Sequence, residues 1–249
     1  MIRVDAFTIQ IAGLTARVQP LFSSTREYCR SYLTDDAPDM YVEVTKQDLA
    51  ITQAALEREA IEDGIRVRKF PEPFLERATI QRKIASELIG RDTVLLHGST
   101  VGLDGAAYLF TAPCGTGKST HTRFWRETFG QRAVMINDDK PFLQITASGV
   151  IAHGSPWSGK HGLDNNISLP LKGICFLRRG TFNQIRMIKP EDCMDELCRQ
   201  CYLPDSPSQQ EKTLALVNSL AQIVPLWEME CTKDVGAALA SYEAMSGVL

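Results

Sequence analysis

The chain has 249 residues, of which 44% are hydrophobic and 23% are charged, and its formal net charge is -3 at pH 7. This balance is typical of a globular protein in water, and it offers no excess of positive charge for nucleic acid or an anionic membrane. We find no apolar run of about 18 residues and no charged-then-apolar leader at Met1. The sequence therefore predicts no membrane span and no signal peptide, and it favours the cytoplasm.

Residues 1–90 predict a small α+β lobe without a recognisable chemical motif, which we expect to act as structural support or a dimer contact. Residues 91–249 are expected to form a second domain, which carries the motifs described below. The elements predicted in the lobe are a hairpin over residues 2–19 broken at Gly13, a helical stretch over 23–33, a strand over 40–44 and a helix over 51–61.

Beyond residue 72 the pattern predicts a helix over residues 74–89, with Gly90 as its C-terminal cap. A buried strand follows over residues 93–97. Apolar runs on both sides of Asp104-Gly105 predict a β-hairpin, so strand 106–110 should run antiparallel to its predecessor. In many α/β proteins, by contrast, the strand that leads into a glycine-rich loop lies in a parallel βαβ sheet.

Residues 111–120 read Thr-Ala-Pro-Cys-Gly-Thr-Gly-Lys-Ser-Thr and predict a phosphate-binding loop that opens a helix. Glycines let backbone N–H groups converge on an anion, and the helix N-terminus adds its dipole. Ala112 replaces the first Gly of the G-x-x-x-x-G-K-[ST] pattern, and an ordinary turn followed by Lys-Ser is the alternative. The predicted nucleotide-binding residues are Cys114, Gly115, Thr116, Gly117, Lys118, Ser119 and Thr120, with Lys118 on the β/γ-phosphates and Ser119 on Mg²⁺.

A second candidate feature is the acidic pair Asp138 and Asp139. A helix over residues 119–129 should end at Gly130, and a short strand over 133–136 delivers the pair at its C-terminal end. Carboxylates there can hold Mg²⁺ or accept a proton from an attacking hydroxyl. We take Asp139 as a metal ligand together with Ser119, while the choice of base between the two aspartates stays open. A solvated turn is the alternative.

Three stretches together carry a family resemblance: Leu96-His97-Gly98-Ser99, the loop at residues 114–120, and Ile136-Asn137-Asp138-Asp139. They resemble the HPr kinase and phosphoenolpyruvate carboxykinase superfamily, more closely its HPr-kinase-like serine kinases, over residues 92–183. The resemblance implies an α/β (α+β) fold with a P-loop in a mixed, largely antiparallel sheet, and ATP and Mg²⁺ as cofactors. It implies that His97 points into the site, and that one of Asp138 and Asp139 is the base and the other a metal ligand.

Two further segments follow the pair. Residues 151–160 resemble the Gly-x-Pro-Trp-x-Gly-Lys loop of the same proteins, so Trp157 is a candidate substrate wall and Lys160 a candidate cation. A core tryptophan and a solvated lysine are the alternatives. A turn at 178–180 would deliver Arg178 to a transferring phosphoryl group, unless it is an exposed hairpin tip. We take the helix-like and strand-like segments after residue 206 as packing.

The seven cysteines are an odd number, which favours reduced thiols over a disulfide framework. Cys193, Cys198, Cys201 and Cys231 have the C-x4-C-x2-C…C spacing of plant-type iron–sulfur ligation. The simpler interpretation is an amphipathic helix over residues 191–202 that uses cysteine as a small apolar residue.

The predicted function is ATP-dependent phosphoryl transfer to a serine-type hydroxyl of a small molecule or peptide. The Glu-Ile-Arg-Gly-type segment of HPr kinases and the substrate-binding arginines of carboxykinases are missing from the sequence, so neither HPr nor a carboxykinase substrate is expected. A nucleotide-binding regulatory module, a simple nucleotide hydrolase and an iron–sulfur or zinc protein remain alternatives. GTP or pyrophosphate as donor stays open, and family analogy points to a homo-oligomer.

Overall fold

The computed structural model describes residues 4–62 and 64–247, and the chain forms two compact units, Met1–Glu87 and Leu88–Leu249. The expected boundary follows residue 90, inside the short 3₁₀ turn Ile89–Arg91 near the start of the second unit. No helix in the described ranges has the length and apolar character needed to cross a bilayer.

The first unit is a three-stranded sheet with helices. The predicted hairpin is confirmed over its described part, with a turn at Gly13 in the left-handed region (φ 75°); residues 2 and 3 of the prediction lie outside the described residues. The helix predicted over 51–61 begins earlier, and the one predicted over 23–33 is a short helix followed by the 3₁₀ turn Arg30–Tyr32. The elements are β1 (Phe7–Ile11), β2 (Leu14–Gln19), α1 (Ser24–Tyr28), β3 (Met40–Glu43, parallel to β2), α2 (Lys46–Glu62) and α3 (Glu72–Leu88).

The predicted C-terminal cap at Gly90 is wrong. Helix α3 ends at Leu88, and the 3₁₀ turn that follows moves the chain reversal to Asp92, which has φ 53° and ψ 37°. Aspartate tolerates this left-handed conformation better than most residues, so the reversal does not need the glycine.

The second unit is a nine-stranded mixed sheet with helices on both faces. Six of its eight strand pairings are antiparallel, as expected. The strand order is β4-β8-β9-β10-β6-β5-β7, with β12 also beside β10 and β11 beside β12. The elements are β4 (Thr93–Leu95), β5 (Ser99–Leu103), β6 (Ala106–Thr111), α4 (Lys118–Phe129), β7 (Ala133–Asn137), β8 (Phe142–Thr146), β9 (Gly149–His153), β10 (Ser168–Arg179), β11 (Gln184–Ile188), α5 (Pro190–Gln200), α6 (Pro207–Ile223), β12 (Leu226–Cys231) and α7 (Val235–Ser246).

The hairpin predicted at Asp104-Gly105 is confirmed as β5–β6, in which Leu103 faces Ala106 across a two-residue turn. Both turn residues have positive φ, 50° for Asp104 and 82° for Gly105, as such tight hairpins require. On its other side β6 lies parallel to β10. Strand β6 therefore has one antiparallel neighbour, β5, and one parallel neighbour, β10.

Alternate residues of β6 enter two different cores, as the pleat of a strand requires. Ala107 and Leu109 pack in the cluster that includes residues of α5 and α6, whereas Tyr108 and Phe110 pack with residues of α4 and α7. Trp125 of α4 is fully buried, with its ring 4.9 Å from Tyr108 and 5.4 Å from Phe110. The sheet is thus the middle layer of three.

The alternative of an exposed hairpin tip at residues 178–180 is wrong. Strand β12 lies between β10 and β11, parallel to the first and antiparallel to the second. Arg178 and Arg179 are consequently the last residues of an interior strand and pair with Glu230 and Cys231 of β12.

Candidate active site

The directions of the strands bring several predicted residues to one edge of the sheet. Strands β6, β10 and β12 are parallel to one another, and β7 points the same way because both β6 and β7 are antiparallel to β5. The carboxyl ends of all four strands, and the first residue of β5, therefore meet at one edge. This edge carries the glycine loop (residues 112–118), the acidic segment (residues 137–140), Arg178, Arg179 and Ser99.

The glycine loop depends on backbone conformations that favour glycine. Gly115 has φ 78° and Gly117 has φ 128°, and a Cβ at either position would meet nothing within 4 Å. The need for glycine is therefore conformational rather than steric. Ala112 is fully buried and is not among the positive-φ residues of the described chain, so its departure from the motif is compatible with the loop.

Lys118 closes this loop. It is the first residue of α4 and is 8% exposed, and its ammonium donates to the carbonyl oxygens of Ala112 at 2.7 Å and Pro113 at 3.4 Å. The preceding residue, Gly117, provides no side chain to cap the first-turn amides, which leaves these donors for an anion. Burial lowers the pKa of Lys118, while the nearby charges of Asp138 and Asp139 oppose that shift.

Asn137 shapes the acidic segment and is fully buried. Its amide donates to the carbonyl of Ser155 at 2.7 Å, and its carbonyl oxygen accepts from the backbone of Asp139 at 2.8 Å and of Lys140 at 2.5 Å. This pattern is an Asx turn anchored to a second segment. The solvated-turn alternative does not describe such a buried arrangement.

Asp138 is joined to the helix after the glycine loop by two buried hydroxyls. Ser99 donates to its Oδ1 at 2.6 Å, and the Thr122 hydroxyl of α4 lies 2.8 Å from that of Ser99. Asp138 is 6% exposed, and its backbone N–H donates to the carbonyl of Leu163 at 3.1 Å. Its position is thus determined from three parts of the chain.

Asp139 is more accessible than its neighbour, with 32% of its side chain exposed. His97 Nε2 lies 3.3 Å from Asp139 Oδ1. Burial raises the pKa of Asp139, an effect that the positive charges of Lys140 and Lys118 oppose. Burial and the same two lysines lower the pKa of His97 to about 2, so at neutral pH the imidazole is uncharged and this contact is not an ion pair.

Residues 154–165 pass close to the acidic segment, and two glycines allow the close approach. A Cβ on Gly154 would lie 1.9 Å from the carbonyl oxygen of Asn165, and one on Gly159 would lie 3.3 Å from Cβ of Asp139. The structure places Lys160 exposed beside Gly159. Trp157 is 6% exposed, with its ring 6.3 Å from that of Phe142, as the core-packing alternative expects.

The two neighbouring arginines have different partners because successive residues of a strand point to opposite faces. Arg178 pairs with Glu196 of α5 at 2.8 Å and with Glu228 of β12 at 3.3 Å. Arg179 instead donates to the glycine loop, to the carbonyl oxygen of Gly115 at 2.5 Å and, at 3.5 Å, to that of Thr116. The arginine that contacts the loop is therefore not the one selected from the sequence.

A cavity of about 370 Å³ opens beside the start of α4. It lies between this helix and the carboxyl ends of β10 and β12, so the C-terminal part that the sequence assigned to packing also borders the site. Its walls include Gly117, His121, Phe124, Leu177, Cys231 and Lys233.

The cysteine spacing does not form a metal site. Within residues 4–62 and 64–247, no three or more His, Cys, Asp or Glu side chains are grouped so as to hold a metal ion. Cys193 and Cys201 are buried with Leu197 in the core beside α5, which confirms the amphipathic-helix interpretation. Burial raises the pKa of Cys193 to about 11. All seven cysteines lie in the described residues and none of them is in a disulfide, and Cys114 in the glycine loop is exposed.

The sequence interpretation missed several residues of this edge, although Ser99 and Asn137 both lie in stretches that carry the family resemblance. Ser99 belongs to the quoted Leu-His-Gly-Ser stretch, but nothing in it indicates a partner 39 residues away. The remaining missed residues are Thr122, Asn137 as an anchor, Lys140, Arg179, Thr232 and Lys233.

No protein-family model matches the chain and no curated protein matches it. Solved structures do match, among them the HPr(Ser) kinase/phosphatase from Coxiella burnetii, with 12% sequence identity and a TM-score of 0.29. This match covers 51% of the present chain and 88% of that chain. A likeness at this level is distant and assigns neither a family nor an activity.

Proposed function

We propose that the chain is an ATP-dependent phosphotransferase that acts on a serine-type hydroxyl of a small molecule or peptide. One observation carries the proposal: a glycine loop with uncapped helix amides and a pair of adjacent aspartates lie at the same sheet edge, joined through Ser99 and Thr122. Phosphoryl transfer needs an anion cradle, a metal ligand and a proton acceptor close together.

The loop would hold the β- and γ-phosphates of the donor. Backbone amides at Gly117 and the first turn of α4 provide hydrogen bonds, and Lys118 provides the positive charge. Arg179, hydrogen-bonded to the loop carbonyls, takes the place that the sequence assigned to Arg178. Its charge would lie next to the phosphates, and it forms no ion pair with a carboxylate among the described residues.

The residues at this edge fit Mg²⁺. Hydroxyl and carboxylate oxygens are its preferred ligands, and it usually takes only one or two from the protein, with phosphate and water oxygens completing the shell. Ser119 at the start of α4 and one of the aspartates would supply them. When bound, the ion would neutralise charge on the phosphates.

The other aspartate would accept the proton of the attacking hydroxyl. The positive charges of Lys118 and Lys140 offset part of the cost that burial imposes on a negative charge at Asp139. His97, being uncharged, orients the acceptor or Asp139 instead of neutralising it.

The cavity beside α4 would take the nucleoside of the donor. It adjoins the loop, and its walls combine the aromatic ring of Phe124 with Leu177 and the thiol-bearing Cys231. Nucleoside pockets in proteins are mostly apolar concavities with a few polar groups, and this one has that character.

A nucleotide-binding regulatory module without turnover is the second candidate. One observation favours it: the ammonium of Lys118 is already hydrogen-bonded to two carbonyl oxygens of its own loop. Turnover would require this ammonium to turn to the phosphates, whereas simple binding to the amides would not.

Incubation with γ-labelled ATP and candidate serine-containing acceptors tests the proposal, with GTP and pyrophosphate in parallel. Label should move to the acceptor, and Lys118→Met should slow the transfer at least about a hundredfold while the protein stays folded. Lys172→Met, the same change at an exposed lysine of β10, should transfer at the parent rate. Nucleotide binding in calorimetry without any transfer or phosphate release would establish the regulatory module instead.

A further inference from the structure

Three buried polar groups connect the two halves of the site. Ser99 is fully buried, Thr122 is 1% exposed and Asp138 is 6% exposed. The Ser99 hydroxyl lies 2.6 Å from Asp138 Oδ1 and 2.8 Å from the Thr122 hydroxyl. Such short contacts between groups hidden from water are strong because little solvent competes with them.

The chemistry of the groups gives these hydrogen bonds a direction. A carboxylate only accepts, so the single proton of Ser99 is donated to Asp138. The Ser99 oxygen can then only accept from Thr122, which is closer to it than to the carbonyl oxygens of Lys118 at 3.4 Å and Ser119 at 3.3 Å. The hydrogen bonds therefore run from Thr122 of α4 to Ser99 and from Ser99 to Asp138.

We propose that Ser99 and Thr122 are positioning residues that hold Asp138 as the Mg²⁺-side carboxylate, which leaves Asp139 to receive the acceptor's proton. This inference rests on the proposed function. Thr122 lies three residues after Ser119, on the next turn of the same helix. The hydroxyl chain therefore ties Asp138 to the helix end that carries Ser119.

The two aspartates differ as this assignment requires. Ser99 occupies Oδ1 of Asp138, and the other oxygen of that carboxylate has no hydrogen-bond partner among the described residues. Asp138 is almost fully buried, whereas Asp139 has 32% of its side chain exposed and lies beside His97. A carboxylate that binds the metal should be held rigidly, whereas a carboxylate that accepts the proton must be accessible to the substrate. This reverses the sequence expectation that Asp139 joins Ser119 on the metal.

The test is calorimetric binding of a non-hydrolysable ATP analogue, measured once with Mg²⁺ and once with EDTA. The quantity compared is the gain in affinity that Mg²⁺ brings. Ser99→Ala should reduce this gain about tenfold, the size expected for one hydrogen bond to a charged group, with unchanged affinity in EDTA. Thr122→Val, which removes a neutral hydrogen bond further from the carboxylate, should reduce it about threefold.

Two comparisons control the experiment. Thr213→Val makes the same isosteric change at a fully buried threonine of α6, whose hydroxyl donates to the carbonyl of Gln209, and it should leave the Mg²⁺ gain intact. Asp138→Asn should abolish the gain, and Asp139→Asn should retain it while stopping phosphoryl transfer.

The outcomes distinguish a failure of the positioning role from a failure of the proposed function. If the parent protein binds no analogue under either condition, the proposed function fails and the inference with it. If the parent shows the Mg²⁺ gain and Ser99→Ala retains it, or loses affinity equally in EDTA, the positioning role is refuted while nucleotide binding stands. Loss of the gain in Asp139→Asn but not in Asp138→Asn would also refute it. Thermal unfolding identifies misfolded variants, and if Ser99→Ala does not fold, Thr122→Val decides.

Discussion

The glycine loop and the acidic segment lie at the same edge of the sheet, but different parts of the chain hold them in place. The loop is shaped by its own backbone, through positive φ at Gly115 and Gly117 and the bond from Lys118 to Ala112. The acidic segment is shaped by partners distant in sequence, among them Ser99 and residues 155–165. A locally determined loop can change its affinity for ligands with little loss of stability, whereas a segment held by distant partners should lose stability and activity together.

The largest expected loss of stability is at Gly154, which lies close to the backbone of Ile136 and Asn165 near the acidic segment. Gly154→Ala would bring a methyl group to 1.9 Å from the carbonyl oxygen of Asn165, and backbone cannot move aside as easily as a side chain. We expect unfolding in urea to show a loss of about 3 kcal/mol or more.

Gly117→Ala is the matched change in the glycine loop. Its φ of 128° is strained for alanine, but no atom lies within 4 Å of the added carbon. We expect a smaller loss of about 1–2 kcal/mol, accompanied by weaker nucleotide binding. Equal losses of stability in the two variants would contradict the difference between the two halves.

Asn137→Ala tests the anchor of the acidic segment. It leaves the amides of Asp139 and Lys140 and the carbonyl of Ser155 without their partner in a buried position. Denaturant unfolding should show a loss of about 2 kcal/mol, and transfer activity should fall with it. Asn218→Ala, at an exposed position of α6, should leave both unchanged. An active Asn137→Ala protein of parent stability would show that the acids do not need this turn.

The pH dependence of stability should involve three histidines with lowered pKa values: His97 and His153 near the acidic segment, and His121 on the helix that follows the glycine loop. Burial lowers the pKa of His121, on α4, to about 3 and that of His153, which precedes Gly154, to about 4. The unfolded chain takes up these protons near pH 6.5, so the stability from each is complete above that pH and declines as the pH falls towards the folded pKa, about 3 for His121 and about 4 for His153. Each contributes a slope of about 1.4 kcal/mol per pH unit.

His153→Gln removes one of these groups. Urea unfolding measured between pH 6 and 4.5 should show a slope smaller by about 1.4 kcal/mol per pH unit than in the parent. This window lies above the range in which most carboxylates titrate. An unchanged slope would mean that His153 is protonated in the folded protein.

The neighbouring arginines give the smallest expected effects, with opposite signatures. Arg178→Ala leaves Glu196 and Glu228 without their shared cation, and because the site is partly exposed we expect a loss of stability near 1 kcal/mol at most. Nucleotide affinity should fall less than in Arg179→Ala, since Arg178 borders the cavity beside α4 but does not contact the glycine loop among the described residues. Arg179→Ala should keep the parent stability and weaken nucleotide binding about threefold by releasing the carbonyl of Gly115. Calorimetry and urea unfolding of both variants distinguish the roles, and exchanged signatures would restore the choice made from the sequence.

The part of the site that could be predicted from the sequence is the part that short-range signals control. Asp104-Gly105 specifies a tight hairpin, Gly130 ends α4 with φ 57°, and residues 112–117 connect β6 to α4 with positive φ at Gly115 and Gly117. Each depends on a conformation that few other residue types adopt.

The rest depends on pairings between distant parts of the chain. Successive residues of a strand point to opposite faces of the sheet, so only one of Arg178 and Arg179 can face the loop. Which one does so depends on how β10 pairs with β6 and β12. The insertion of β12 between β10 and β11 is likewise invisible to local patterns, because parallel neighbours are joined by long connections. The partners of Ser99 and Asn137 follow from these pairings, so they were missed for the same reason.

Cys114 has a practical consequence. It is exposed within the glycine loop, whereas the other six cysteines are buried or half-buried. A thiol-reactive fluorophore should therefore label the unmodified protein at this one position first, without any engineered residue. Quenching of the dye, or protection from alkylation when a candidate donor is added, would give a direct optical screen for what the loop accommodates.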